Sequence, residues 1–290
     1  RMTGGMLKRM LHFAPERAIP TLYKTTLKHW LGRYRRKNRG ETVGKVFLFA
    51  DEFTNYMDVE IGIKMIELLD RLGYEVIIPK HVESGRTSIS KGMLKVAKGV
   101  ARENVLLLKD LVTENIPLVG IEPSCILSFR DEYPDLVGED LKEEAVRLGK
   151  NCLLYDEFFT REIRAGRIQA EQFTDQPLKI MLHGHCHQKS LVSVEPSREM
   201  LSLPVNYSVE VIPSGCCGMA GAFGYEKKHY ELSMKIGEQV LFPAVRGAGE
   251  NVCISAPGTS CRQQIKDGTG KQALHPIEVL YEALKCTKEK

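Results

Sequence analysis

Short apolar runs alternate with amphipathic stretches along most of the chain. Lys45–Ala50 (KVFLFA), Glu75–Pro79 (EVIIP) and Ile116–Ile121 are brief, apolar and rich in β-branched or aromatic residues, the signature of buried strands. Between them, Val59–Leu72 sets Ile61, Met65, Ile66, Leu68, Leu69 and Leu72 on one helical stripe that stops at Gly73, and Ser90–Val112 carries a longer helical pattern opened by a serine cap. The alternation then recurs, with strands at Leu178–His183 (LKIMLH), Ser208–Pro213 (SVEVIP) and Asn251–Ala256 and helices over Tyr225–Val240 and Pro276–Leu284. Polar, helix-rich residues 138–168 separate the two series. Strands alternating with helices predict an α/β fold built on parallel sheets.

The two series read as copies of one unit. Lys45–Glu52 (KVFLFADE) aligns with Lys179–Cys186 (KIMLHGHC), Glu75–Gly85 with Glu210–Gly218 after a two-residue difference, and Val119–Cys125 (VGIEPSC) with Ser255–Cys261 (SAPGTSC). Anchor spacings agree: Glu52 to Glu83 is 31 residues against 30 for Cys186 to Cys216, and Ser84 to Cys125 is 41 against 44 for Cys217 to Cys261. The expected organisation is a basic helical arm over 1–40, a first half over 41–137, a helical connector over 138–176 and a second half over 177–290.

Only the second half carries thiols at the aligned positions. Cys186, Cys216, Cys217 and Cys261 face Glu52, Glu83, Ser84 and Cys125 of the first half. Carboxylate and hydroxyl oxygens are poor ligands for soft iron–sulfide cores, so one centre is expected, not two. The four thiols are the candidate metal ligands: each follows a predicted strand, and parallel strands end on one edge. Glycines 215, 218 and 221 let backbone amides approach inorganic sulfide. Vicinal cysteines can bind different irons of one cluster, which favours a polynuclear iron–sulfur site; zinc stays open. Gly215, Gly218, His185 and Arg262 are candidate cofactor contacts. His183, His185 and His187 flank Cys186 and either ligate, relay protons or tie loops together. Cys125 and Cys253 read as core thiols, and Cys152 and Cys286 lie off the pattern. Arg86, Glu122, Arg130, Asp131 and Glu132 are expected to form an ion-pair net between the halves, and His275-Pro276 to start the last helix.

With 43% hydrophobic and 27% charged residues in 290, the composition is that of a globular protein. No apolar run reaches the length of a spanning helix, no signal peptide is evident, and a first residue of Arg1 raises the expectation of a longer chain. Eight cysteines are too sparse for a disulfide scaffold, so reduced, metal-binding thiols and a cytoplasmic location are expected. The net charge of +4 hides an asymmetry, because residues 1–40 hold eleven Lys/Arg and a single acid, Glu16. Lys8, Arg9, Arg17, Lys24 and Lys28 interleave there with Leu7, Met10, Leu11, Phe13, Leu22, Leu27, Trp30 and Leu31. Such an arm suits an acidic partner domain, peripheral contact with the inner face of a membrane, or plain solvation. No nucleic-acid motif follows it.

The pattern Cys-x29-Cys-Cys-Gly-x42-Cys resembles the cysteine-rich (CCG) domain family, which includes the cysteine-rich component of heterodisulfide reductase, iron–sulfur components of glycerol-3-phosphate, glycolate and lactate oxidation systems, and the C-terminal regions of FAD-linked oxidases. Glu83–Gly92 (ESGRTSISKG), Gly120–Cys125 (GIEPSC), Phe129–Pro134 (FRDEYP), His183–Lys189 (HGHCHQK) and Gly258–Gln264 (GTSCRQQ) extend the likeness over roughly residues 10–285. Together they resemble the C-terminal part of FAD- and iron–sulfur-containing D-lactate or D-2-hydroxyglutarate dehydrogenases. The resemblance implies a duplicated CCG domain and an oxidoreductase. Its iron–sulfur cluster, of the 4Fe-4S kind, takes electrons from FAD on an upstream or partner domain, beside ferredoxin-type domains, and passes them to a quinone or carrier. The alternatives it leaves are thiol/disulfide catalysis of the heterodisulfide-reductase kind and a zinc-bound docking scaffold. Full CCG repeats end in Cys-x-x-Cys; here Gly258 stands where the fifth thiol would be, pointing to a four-thiolate cluster or one completed by histidine or water.

Overall fold

Two parallel sheets form the frame of the computed structural model, which describes residues 5, 8–38 and 40–285; Leu7 and Cys286 lie outside the described residues. The first sheet contains β1 (Gly44–Phe49), β2 (Tyr74–Ile77), β3 (Leu118–Gly120) and β4 (Cys152–Leu154) in the order β2-β1-β3-β4. The second contains β5 (Leu178–Leu182), β6 (Tyr207–Val211) and β7 (Val252–Ser255) in the order β6-β5-β7. Every ladder is parallel. The chain is thus an α/β protein with two related parallel-sheet halves, each with its first strand in the middle.

Strand register carries the repeat further than the letters do. Phe47 pairs with Leu118, and its equivalent Met181 pairs with Ile254. Gly44 pairs with Tyr74 and Leu178 with Tyr207. Tyr74 is therefore the counterpart of Tyr207, and the stretch from Tyr74 to Gly85 maps onto Tyr207 to Gly218 without a gap. The two-residue difference expected from matching Glu75 to Glu210 came from a shared Glu-Val-Ile lettering, not from the backbone.

The connector over 138–176 holds more than helix. Cys152–Leu154 extends the first sheet, pairing with β3 at Leu118↔Cys152 through Gly120↔Leu154. Three residues without a β-branched side chain give no periodic signal, so the strand was hidden in the sequence. The helix that follows, Tyr155–Arg164, packs against Glu195–Leu201 of the second half. The long helix expected over 90–112 is broken by Gly92 at φ +70, leaving Arg86–Ser90 and Leu94–Leu108.

One apolar cluster lies between the sheets and takes side chains from both, among them Leu48, Leu69, Phe159, Ile180, Met200 and Leu280. The far face of the first sheet has its own cluster around Phe49, Leu118 and Phe129, and that of the second one around Phe242, Ile254 and Ile265. Each such side chain contributes about 2 kcal/mol by leaving water, so the shared cluster fixes the halves against one another.

The basic arm is helical over Leu27–Arg33, where Thr26 caps the helix by accepting from His29 N. The segment before it is an irregular strap over both halves. Ala14 N donates to Tyr225 O, and Phe13 bridges Glu226 in the second half. Leu27 is buried in the first half against Gly62, where any Cβ would come within 2.5 Å of it. Arg17 is fully buried, with its guanidinium on the Asp267 carboxylate, the Ser233 hydroxyl and the Gly224 carbonyl. Replacing it by methionine keeps the apolar stem but removes the buried donors to Asp267 Oδ2, Ser233 Oγ and the Gly224 carbonyl. Arg17→Met should cost about 3 kcal/mol, read as a lower urea midpoint; an unchanged midpoint would show that the strap contributes nothing to stability.

Candidate metal centre

The loops that leave β5, β6 and β7 all lie on the carboxyl edge of the second sheet. Cys186 opens the helix Cys186–Leu191, Cys216 and Cys217 follow β6 in a turn, and Cys261 is the third residue of the helix Thr259–Thr269. Helix N-termini carry partial positive charge and favour thiolate there. The turn needs glycine: Gly218 sits at φ +95, and a Cβ on it would fall 2.3 Å from Ser233 O. Its amide donates to Cys216 Sγ at 3.3 Å. The first half keeps the same bend at Gly85, φ +73.

The sulfurs influence one another in the order Cys186, Cys216, Cys217, Cys261. The Cys186 thiol, then that of Cys217, hold Cys216 far below the ordinary thiol value. Cys217 does the same for Cys261. Cys186 and Cys217 are pushed up, in each case first by the neighbouring Cys216. This order runs from the surface inward: Cys186 is exposed, Cys216 partly so, and Cys217 and Cys261 are buried. Lys189 brings its ammonium to the carbonyls of Ser214 and Gly215, a positive charge beside the sulfurs, and its pKa is lowered by burial.

Among the described residues, Cys217 and Cys261 have potential ligand atoms within 4.8 Å of one another together with His183; Cys186 and Cys216 fall outside that group. Four sulfurs spread this way occupy more room than one tetrahedral zinc takes. A cluster of several metals with thiolate ligands fits the spacing and the soft donor set.

The three histidines part company. His185 caps the helix Cys186–Leu191, its Nδ1 accepting from His187 N at 3.2 Å. That acceptance puts the hydrogen of the neutral ring on Nε2, which faces Glu122 at 3.9 Å. The same ring fills the space of the absent fifth thiol: a Cβ on Gly258 would lie 2.5 Å from His185 Cδ2 and 3.1 Å from Cys261 Sγ. His187 lies beside Asp131 at 3.6 Å. His183, not chosen from sequence over its neighbours, is fully buried, shares a 2.7 Å hydrogen bond between Nδ1 and Ser214 Oγ, and leaves Nε2 without a partner.

Arg262 reaches back to the first half, binding the Asp58 carboxylate and the carbonyls of Ala256 and Pro257. Glu122 does the converse. Its side chain caps its own helix by accepting from Ser124 N and takes Thr259 N of the second half at 2.9 Å. One carboxylate therefore caps two helices, and sequence reasoning saw in it only a member of an ion-pair net. Of that net, Arg86 pairs with Glu132 and Arg130 with Glu157. Gly215 offers its carbonyl to Lys189 and has open space around its α-carbon.

The equivalent place in the first half is closed by its own side chains. Glu52, at the position of Cys186, accepts from Ser84 N at 2.9 Å and Ser84 Oγ at 2.7 Å, Ser84 being the counterpart of Cys217. Asp51, the counterpart of His185, caps the helix Glu52–Tyr56 by accepting from Phe53 N and Thr54 N. Cys125 is buried there with its sulfur within 4.8 Å of carboxylate oxygens of Asp51 and Glu52, while Cys152 in β4 and, in part, Cys253 in β7 are buried among apolar neighbours. Burial, with the Glu52 charge beside it, raises the Asp51 carboxyl to about 8.

Fold and site together define a duplicated α/β cysteine-rich module in which one copy presents a thiol cluster. Comparison with known proteins finds similar chains among dehydrogenases and a lactate utilization protein. The chain is 26% identical over 277 residues to the D-2-hydroxyglutarate dehydrogenase of Escherichia coli K12, covering 93% of this chain and 26% of that protein. It is 27% identical over 281 residues to one component chain of the anaerobic glycerol-3-phosphate dehydrogenase of the same organism, 96% of this chain and 69% of that one. To lactate utilization protein A of Bacillus subtilis it is 27% identical over 248 residues, 81% and 98% respectively. It spans about a quarter of the length of the D-2-hydroxyglutarate dehydrogenases it matches. No family model matches. The chain is similar to these proteins over most of its own length.

Two outcomes follow from this geometry. After anaerobic iron and sulfide loading, Cys216→Ser and Cys217→Ser should lose most bound iron by colorimetric assay, while Cys152→Ser should match the parent; loss in Cys152→Ser would overturn the ligand set. The raised Asp51 carboxyl favours the folded state while protonated, so its contribution is complete below pH 3.8 and disappears as pH rises through about 8. Urea midpoints should therefore fall less steeply between pH 5 and pH 8 in Asp51→Asn, which keeps the cap, than in the parent; equal slopes would contradict the assignment.

Proposed function

We propose that this chain is the iron–sulfur electron-transfer module of an FAD-dependent dehydrogenase acting on a 2-hydroxy acid, of the D-lactate, D-2-hydroxyglutarate or glycolate type. Supporting it is one observation above the others: a line of four thiols that begins at the surface with Cys186 and ends in the core with Cys261. The relatives named for hydroxyacid and glycerol-3-phosphate oxidation point to the same chemistry, removal of two electrons from a carbinol carbon. When bound, a 4Fe-4S cluster would supply one-electron storage between a two-electron flavin and its acceptor.

Cys186, Cys216, Cys217 and Cys261 would hold it. The Gly218 amide and the Lys189 ammonium face the sulfurs and favour the more negative, reduced state. The buried inner pair keeps water off one side, and the exposed Cys186 side is where a redox partner comes close. The flavin belongs to a separate domain or partner chain, with ferredoxin-type domains beside it, and the acceptor is a quinone or carrier protein. Exposed Met10, Leu11 and Leu22 among the lysines and arginines of the arm suit a peripheral position at a membrane. No helix among the described residues is long and apolar enough to cross one.

The loaded protein, mixed anaerobically with photoreduced FAD, should lose its visible cluster absorption at about one electron per chain and gain an EPR signal. Its reduced form should not be reoxidised by a disulfide such as cystine. Stoichiometric zinc without sulfide, or rapid turnover of the disulfide, would contradict the electron-transfer assignment.

A further inference from the structure

The repeat allows each buried residue near the thiols to be compared with its counterpart in the half that lacks them. Register places Phe49 of β1 opposite His183, and His81 opposite Ser214. In the first half Phe49 packs on the His81 ring with centroids 4.5 Å apart, and His81 Nε2 is also buried without a partner, but among the described residues no thiol pair lies beside it. In the second half the same space holds a fully buried imidazole and a serine hydroxyl 2.7 Å apart. Polar groups are costly at an apolar position unless they are satisfied. Nδ1 of His183 is satisfied by Ser214; Nε2 is buried with no hydrogen-bond partner, beside Cys217 and Cys261 with ligand atoms within 4.8 Å.

We propose that His183 Nε2 is a ligand of the metal cluster, completing at its buried end a donor set of one imidazole and the four thiolates. This rests on the iron–sulfur reading above and adds to it the identity of the non-thiolate donor. The hydrogen-bond chain supports the required tautomer. With Nδ1–H donating to Ser214 Oγ, whose hydroxyl lies 3.5 Å from Ile212 O, the lone pair is on Nε2. Ser214 lies two residues before Cys216, so closing the cysteine turn onto β5 also aims the imidazole. His185 is excluded from the same role, because its Nδ1 accepts from His187 N and its Nε2 therefore carries the hydrogen. The ring of His185 instead occupies the site of the thiol that Gly258 lacks. The fifth donor thus comes from the end of β5, not from the helix of Cys261. A neutral imidazole in place of a thiolate leaves the cluster less negative and its reduced state more stable.

The test is pulsed EPR of the reduced, iron-loaded full chain grown with ¹⁵N-histidine. A strong coupling from a directly bound nitrogen should appear, change with the isotope, survive in His185→Asn and vanish in His183→Cys. The latter variant should retain its iron, since a thiolate replaces the imidazole, and its potential should move negative. Iron and sulfide present with no strong nitrogen coupling, or a coupling that persists in His183→Cys, would overturn the assignment and leave the electron-transfer reading intact. Absence of iron and sulfide from the wild-type chain would overturn both.

Discussion

Parallel strands end on the same edge of their sheet, and the candidate centre is a consequence of that constraint. Three loops leave β5, β6 and β7 side by side, so residues far apart in sequence meet without any long excursion of the chain. Two of the loops run directly into helices, which place Cys186 and Cys261 in their first turns. The third loop has no helix to lean on and uses the left-handed bend at Gly218 to turn two adjacent cysteines into the space between.

The first half shows what the same backbone does without the thiols. Its glycine bend, its helix cap and its strand register are retained, and its ligand positions are joined by a Glu52–Ser84 hydrogen bond. The halves then depend on one another at this edge. Glu122 caps a helix in each, and Arg262 returns an ion pair to Asp58. A buried pair of this kind is held by its geometry more than by net energy. It fixes the Thr259 helix, and with it Cys261, relative to the first sheet. The first copy is therefore a structural support for the one that carries the thiols.

Much of this was legible in the chain. The α/β class, the duplication and the convergence of Cys186, Cys216, Cys217 and Cys261 follow from short apolar runs and matched spacings, which local periodicity encodes well. Three things were not legible, each for a physical reason. The Cys152–Leu154 strand is specified by its partner β3, not by its own residues. The correct offset of Tyr74 and Tyr207 is set by strand pairing, which letter matching over Glu-Val-Ile obscured. The separate roles of His183 and His185 depend on which ring nitrogen finds a partner, a property of three-dimensional packing. The comparison of His183 with Phe49 could have been made from the aligned sequences, since a histidine opposite a core phenylalanine is itself a signal.

The central claim is that one half of this duplicated module holds a single polynuclear iron–sulfur centre. Native mass spectrometry of the anaerobically loaded chain measures it directly. The account predicts one mass increment per chain corresponding to a single iron–sulfur cluster. An increment of one zinc, or of two clusters, would contradict it.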